Sequence, residues 1–323
     1  MIADRLPTAL RPIRRLLSVA TYWARLLLPP SSVVAGLILL AHWSNAAQSV
    51  APAAVSGAAP ASPLANPAPA SPPDMSLLSR PLSPRALALG VRRVVLDAGH
   101  GGVHQGTASG SGLLEKDITL DLANRASQLL RERGFDVVLT RTDDATLSLK
   151  ERATTANQRR GDIFVSIHLN ALKPDSKLGV ETFYLGPSEH PEHDAIAEVE
   201  NQHSGYSLAD MRTLLDGIYV DARRGESKRL AQSVQQAVLK RLRKIEPAMH
   251  DRGVKTAPFV VLVATDMPAI LAEVSCLSDA GEAERLGTPA HRQAIAEALV
   301  GGIQAFSKQS THTVAQRKDT HER

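Results

Sequence analysis

VVLDAGHGGVHQGTASGSGLLE, running from Val94 to Glu115, decides how this chain folds. Val94, Val95 and Leu96 lead straight into Asp97-Ala98-Gly99-His100-Gly101-Gly102, the pattern of a short buried strand stopped by glycine. Glycine lets the backbone turn tightly and leaves the His100 imidazole clear at the strand's carboxyl end. Open α/β sheets place their ligands at that end. A second flexible run, Gly106 to Gly112, follows, and Glu115 opens a helical pattern. A His and a Glu brought together in this way could both meet one metal ion.

The alternation continues through residues 91–307. Apolar residues at Ile118, Leu122, Ala126, Leu129 and Leu130 form a helical stripe from Glu115 to Arg133, stopped by Gly134. Strands are expected at 135–139, 162–169 and 180–185, with short ones at 259–263 and 269–274. Helices are expected at 147–160, 227–245 and 289–306. DIFVSIHL (162–169) is apolar on both faces, so it belongs at the sheet's centre. The fold class is therefore α/β: a largely parallel central sheet flanked by helices on both faces, forming one catalytic domain over 87–307. Residues 187–225 interrupt it with a polar excursion holding His190, His193 and His203 and two helical patterns, Asp194–Glu200 and Leu208–Tyr219.

The flanks read differently. Residues 1–47 combine arginines at 5, 11, 14, 15 and 25 with a short apolar run and Asn45-Ala46-Ala47, the parts of a secretory signal or an N-terminal anchor. The apolar run is too short for a clear membrane span, and Arg14-Arg15 leaves a twin-arginine route open. Residues 48–86 are Ala, Pro and Ser with few large apolar groups, a disordered linker. Residues 308–323 read as a polar, disordered tail. Export to the periplasm follows, with membrane contact only through an uncleaved N-terminal segment. Much of the formal charge of +4 lies in the first 25 residues and beyond Lys308, and aromatic residues make up only 3% of the chain, so nucleic acid is not an expected partner. The single Cys276 excludes an intrachain disulfide or a thiolate cluster.

His168 ends the central strand as His100 ends the first. A lone histidine there would be structural. Paired with His100 and Glu115, it completes the N, N, O donor set of a catalytic zinc with one position left for water. Glu273 lies in PAILAEVS, an apolar strand where an unpaired carboxylate is costly. It is either a buried partner of an arginine or a general base whose proton affinity its apolar setting raises.

At these residues the chain resembles the zinc-dependent N-acetylmuramoyl-L-alanine amidases that cut bacterial peptidoglycan. LDAGHGGVHQGTASGSGLLEKDITLDLA, VVLTRTDDATLSLKERATTAN, DIFVSIHLNA, GVETFYL and PAILAEVSCLSD match the family's blocks in order, from about Arg93 to Phe306. The resemblance implies one Zn2+ held by His100, Glu115 and His168, with Glu273 as the catalytic carboxylate. It implies hydrolysis of the amide between muramic acid and the stem peptide's L-alanine, in wall remodelling and daughter-cell separation. A zinc peptidase acting within the stem peptide would need the same metal set. A catalytically inactive wall-binding module would be expected to lack one of the four residues. His104 stands where the family commonly has Asp, a loop change, and Cys276 where a small residue is frequent, as inert packing. The segment 187–225 resembles the insertion of cell-division amidases, which implies a lid moved by an activator protein, with an acid such as Glu200 over the metal. Arg141 and Arg152 either brace the site or meet stem-peptide carboxylates. His190 and His193 are expected to be solvated.

Overall fold

The computed structural model describes residues 90–172, 178–202, 204–207 and 222–321. The expected signal, linker, His203 and the helical pattern at 208–219 lie outside these residues. Six strands form one sheet: β1 (Arg93–Ala98), β2 (Asp136–Leu139), β3 (Ile163–Asn170), β4 (Gly179–Leu185), β5 (His250–Ala257) and β6 (Ala269–Cys276). Seven helices are described: α1 (Glu115–Glu132), α2 (Leu149–Gln158), α3 (Pro191–Glu200), α4 (Ala222–Leu242), α5 (Val260–Val263), α6 (Ala280–Leu286) and α7 (Pro289–His321).

The strand order is β2-β1-β3-β6-β4-β5. β3 is buried along its whole length, as its two-sided apolar pattern requires. It lies parallel to β1 and β6, and β4 turns the sheet mixed by running antiparallel to β6. One face packs the larger core against α1, α4 and α7, with Leu96, Leu122, Ile167, Leu230 and Leu299 inside it. The other carries a smaller core around Phe164, Phe183 and Phe259 and is the face on which the polar site opens.

Four elements depart from the sequence reading. Residues 259–263 are not a strand but the helical turn α5, because a short apolar run fits either form and the Asn201 side chain settles it by accepting the Val260 N–H at 2.9 Å. β5, HDRGVKTA, carries no apolar alternation; as the sheet's edge it can hold charges and a glycine. α6 is also absent from that reading, although Asp279 caps it through the Glu282 N–H. The last helix runs past the expected end at Phe306 and through the expected tail to His321.

α4 and α7 meet through Gly302, where an added Cβ would stand 2.6 Å from Val234 Cα and 3.0 Å from the Ser233 carbonyl oxygen. Backbone cannot yield there as a side-chain tip could. Gly302→Ala is expected to destabilise the fold by about 1–3 kcal/mol, read as a lower thermal midpoint with unchanged far-ultraviolet circular dichroism.

Candidate metal centre

His100 follows the end of β1 in a left-handed conformation, φ 58°, which is costly for a residue with a Cβ. Two buried arginines hold it there. Arg152 donates to Asp97 at 2.8 Å and to the carbonyls of Ala98 at 2.6 Å and His100 at 2.5 Å. Arg141 donates to the carbonyls of Ala98 at 3.0 Å, Gly99 at 2.9 Å and Lys116 at 2.7 Å. Their exposures of 3% and 2% decide between the two readings of these arginines: both brace the loop. Burial alone would raise Asp97's proton affinity. The Arg152 charge and hydrogen bonds from Thr140, Arg152 and Ser166 instead hold its carboxyl below the ordinary carboxylate range.

The brace delivers His100 to Glu115 and His168. Glu115, buried at the start of α1, has Oε1 3.2 Å from both His100 Nε2 and His168 Nδ1. The same oxygen accepts the Leu169 N–H at 2.9 Å, and Oε2 accepts the Thr107 N–H at 2.8 Å. Two glycines make room. A Cβ on Gly99 would stand 2.5 Å from His168 Nε2, and one on Gly106 2.5 Å from His100 Cδ2. The fourth group arrives from the insertion: Glu200, the last residue of α3, places Oε2 3.4 Å from His100 Nε2 and 3.1 Å from His168 Nδ1.

These four donor atoms lie within 4.8 Å of one another. Ligands sharing an ion at bond lengths of about 2.1 Å stand roughly 3–4 Å apart, so the spacing suits a common cation. His100 Nε2 and His168 Nδ1 are buried without a hydrogen-bond partner, the condition of nitrogens aimed at a metal. Imidazole and carboxylate donors together fit zinc. His104 is not among the four.

Glu273 completes the polar row. It pairs in register with His168 on β3 and is 2% exposed, with Oε2 unpartnered. No arginine is paired with it among the described residues. Burial, reinforced by the charges of Glu200, Glu115 and Glu181 and opposed by His168, pushes its proton affinity well above the ordinary carboxylate value. Burial would lower the His168 imidazole, yet Glu200 and Glu115 raise it well above its usual value. Beside these groups opens a cleft of about 540 Å³, lined by Val103, Thr107, Leu147, Val199 and Phe259 among others.

Two residues stand apart from the sequence reading. His193 is not solvated: it is 4% exposed and meets Phe183 edge-on, ring centroids 5.8 Å apart, whereas His190 beside it is exposed. Glu181, fully buried on β4 directly opposite Glu273, carries no distinctive signal in the sequence, since one acid inside GVETFYL reads as strand alternation.

The family model for N-acetylmuramoyl-L-alanine amidases matches residues 94–305. The chain belongs to this family. Membership makes it an amidase of the bacterial cell wall, and the relatives agree. N-acetylmuramoyl-L-alanine amidase AmiA of Salmonella typhimurium is 32% identical over 69% of this chain and 80% of its own length, and AmiA of Escherichia coli is 31% identical over the same shares. Among solved structures, an N-acetylmuramoyl-L-alanine amidase of Clostridium difficile 630 is 30% identical with a TM-score of 0.51, covering 67% of this chain and 97% of its own. The catalytic domain of CwlV from Bacillus (Paenibacillus) polymyxa is 28% identical with a TM-score of 0.51, over the same shares.

Removing Arg152 would strand Asp97 as an uncompensated buried charge and release the His100 carbonyl. Arg152→Met is expected to cost about 3–5 kcal/mol in denaturant unfolding, and the Asp97→Asn/Arg152→Met pair clearly less. Because the folded Asp97 carboxyl titrates low, its contribution is in place above about pH 4 and fades as acid approaches the folded value. The acid limb of the unfolding curve should therefore flatten in the double variant.

Proposed function

We propose that this chain is an exported, periplasmic zinc amidase that cleaves the bond between N-acetylmuramic acid and L-alanine in peptidoglycan and is restrained by its own insertion. The observation that carries the reading is the convergence of His100 Nε2, His168 Nδ1 and Glu115 Oε1 beside the unpaired Glu273. His100, Glu115 and His168 would hold the ion. Bound there, zinc supplies a Lewis acid that polarises the scissile carbonyl and acidifies water.

The protein's own part follows from placement. Glu273, one strand from His168, takes the proton of the attacking water and returns it to the departing L-alanine amine. Its burial suits the first half of that task, because a carboxylate with raised proton affinity accepts a proton more readily. Glu115 is fixed by the Thr107 and Leu169 amides, so it does not swing as the substrate enters. The glycan-bearing acyl group is left on one side and the free peptide amine on the other.

Glu200 occupies the position a substrate oxygen needs. The described form is thus self-restrained, and an activator protein that withdraws the segment 187–225 would open it during daughter-cell separation. Membrane tethering rests on the N-terminal segment alone; no helix among the described residues is long and apolar enough to cross a membrane.

Mass spectrometry of digested wall sacculi tests the chemistry: intact stems with a free L-alanine amine are expected, whereas stems cut internally would mark a peptidase. His100→Ala and His168→Ala should lose bound zinc and activity together. Glu273→Gln should keep zinc and lose about 10²-fold or more in kcat; near-normal turnover would remove its role as base. Glu200→Ala should raise basal sacculus release several-fold, and an unchanged rate would count against the restraint.

A further inference from the structure

The polar row does not stop at Glu273. Across the antiparallel β6–β4 pair Glu273 faces Glu181, and β4 lies against the edge strand β5. Glu181 is fully buried yet richly partnered. It accepts from Asn170 Nδ2, pairs with Lys255 Nζ at 2.5 Å and lies 3.2 Å from Arg252 Nε. The Arg252 side chain lies across Gly179, where a Cβ would stand 2.8 Å from its Cγ. That Nε is nonetheless buried and not aligned to donate to Glu181, so a charged donor is left unspent.

Two cations against one carboxylate leave one positive charge in excess. Glu273 makes no ion pair with either cation among the described residues. A structural pair would need only one of them. The Lys255 and Arg252 side chains are 17% and 15% exposed, so each can meet a further anion.

α3 lies over this strip. His193, near its start, sits edge-on to Phe183, whose ring centroid is 5.9 Å from Lys255 Nζ, and Glu200 at its end reaches the imidazoles. The His193 Nδ1 is buried without a hydrogen-bond partner, which makes the seat of the helix a poorly satisfied polar one. Withdrawing α3 therefore uncovers the metal donors and the cationic strip together.

We infer that the strip Glu273–Glu181–Lys255–Arg252 seats the stem peptide of the substrate, and that Lys255 and Arg252 bind the carboxylate on the residue after L-alanine. This rests on the amidase reading, because that bond fixes where the peptide starts. In the wall stem the second residue is a glutamate joined through its side chain, with an α-carboxylate that is either free or amidated. In an extended chain that group lies about 7–8 Å from the scissile carbon. β5 lies two strand spacings, about 10 Å, from β6, within reach of long side chains that point back across β4.

The test uses the full-length chain and two soluble probes, N-acetylmuramoyl-L-alanyl-D-glutamate and its isoglutamine counterpart. kcat/KM is read for turnover, and calorimetric affinity for Glu273→Gln. Restraint by α3 lowers both apparent affinities by the same factor, so their ratio is unaffected. The parent chain should favour the acid by about tenfold, mainly in KM, since the lost contact is a charge-assisted one. Lys255→Ala and Arg252→Ala should bring the ratio towards one, and Lys255→Arg should keep it.

Because Lys255→Ala removes the nearer of the two cations that compensate the buried Glu181, the Glu181→Gln/Lys255→Met/Arg252→Met triple variant, which keeps neither the acid nor its cations, serves as the folding-safe version and should also lose the preference. Equal affinities in the parent chain, or a preference surviving in both single variants and the triple one, would overturn the inference. Failure of the amidase reading is read separately, as no cleavage of either probe by the Glu200→Ala chain, in which the proposed restraint is removed.

Discussion

Everything at the polar end of the sheet depends on two guanidinium groups gripping the carbonyls of Ala98, Gly99 and His100. A strand that ends in glycines has no intrinsic reason to present its imidazole in one direction. Left-handed backbone at His100 costs on the order of 1 kcal/mol and persists only where its surroundings hold it. Arg152 holds it from α2 and in turn neutralises Asp97, which could not otherwise remain ionised inside the sheet. Arg141 binds the same turn to the start of α1, and so to Glu115, through the Lys116 carbonyl. The geometry of the candidate site and the stability of the fold therefore share one set of hydrogen bonds.

Sheet topology does the rest. β1, β3 and β6 are neighbours and parallel, so their carboxyl ends fall together although the residues lie far apart in sequence. That brings the His100 turn beside His168 and Glu273, while α1 returns Glu115 over β3. The charged groups then depend on one another. Glu115 is held as an anion by two imidazoles, while Glu273, without such a partner on Oε2, is pressed towards its neutral form. Opposite environments a few ångströms apart push the proton affinities of the two glutamates in opposite directions.

Much of this was legible in the sequence because apolar strands ending in a polar residue are unusual. His168 closes IFVSIHL, Glu273 breaks AILAEV, and His100 follows VVLDAG; each polar group sits where burial would be costly without a use. What stayed hidden depends on partners distant in sequence. VVLV fits a strand or a buried turn, and only Asn201, some sixty residues away, fixes it as a turn. β5 has no periodicity because, at the sheet's edge, both of its faces stay partly exposed over most of its length. Arg141 and Arg152 could equally have faced the substrate, since a sequence does not say which carbonyls surround a guanidinium. His193 reads as a loop histidine until Phe183 is seen beneath it.

The insertion illustrates the same dependence at its weakest point. α3 buries only His193 and Ala197 as residues, and Val199 on it stays 54% exposed, so little apolar area holds it down. Its grip comes from its ends. Asn201 ties the C-terminal end to Pro258 and Val260 with bonds of 2.9 Å, and Glu200 reaches the imidazoles. A helix held by polar contacts over a charged strip is poised differently from one held by a core. Polar contacts are replaced by water or by a competing anion at small net cost, whereas buried apolar area is lost outright. On the proposed reading, displacing the Glu200 carboxylate would loosen α3, while Ala197 and Ile196 in the smaller core and the Asn201 bonds would still hold it. A partner that lifts the helix must therefore offset the loss of that small apolar contact as well.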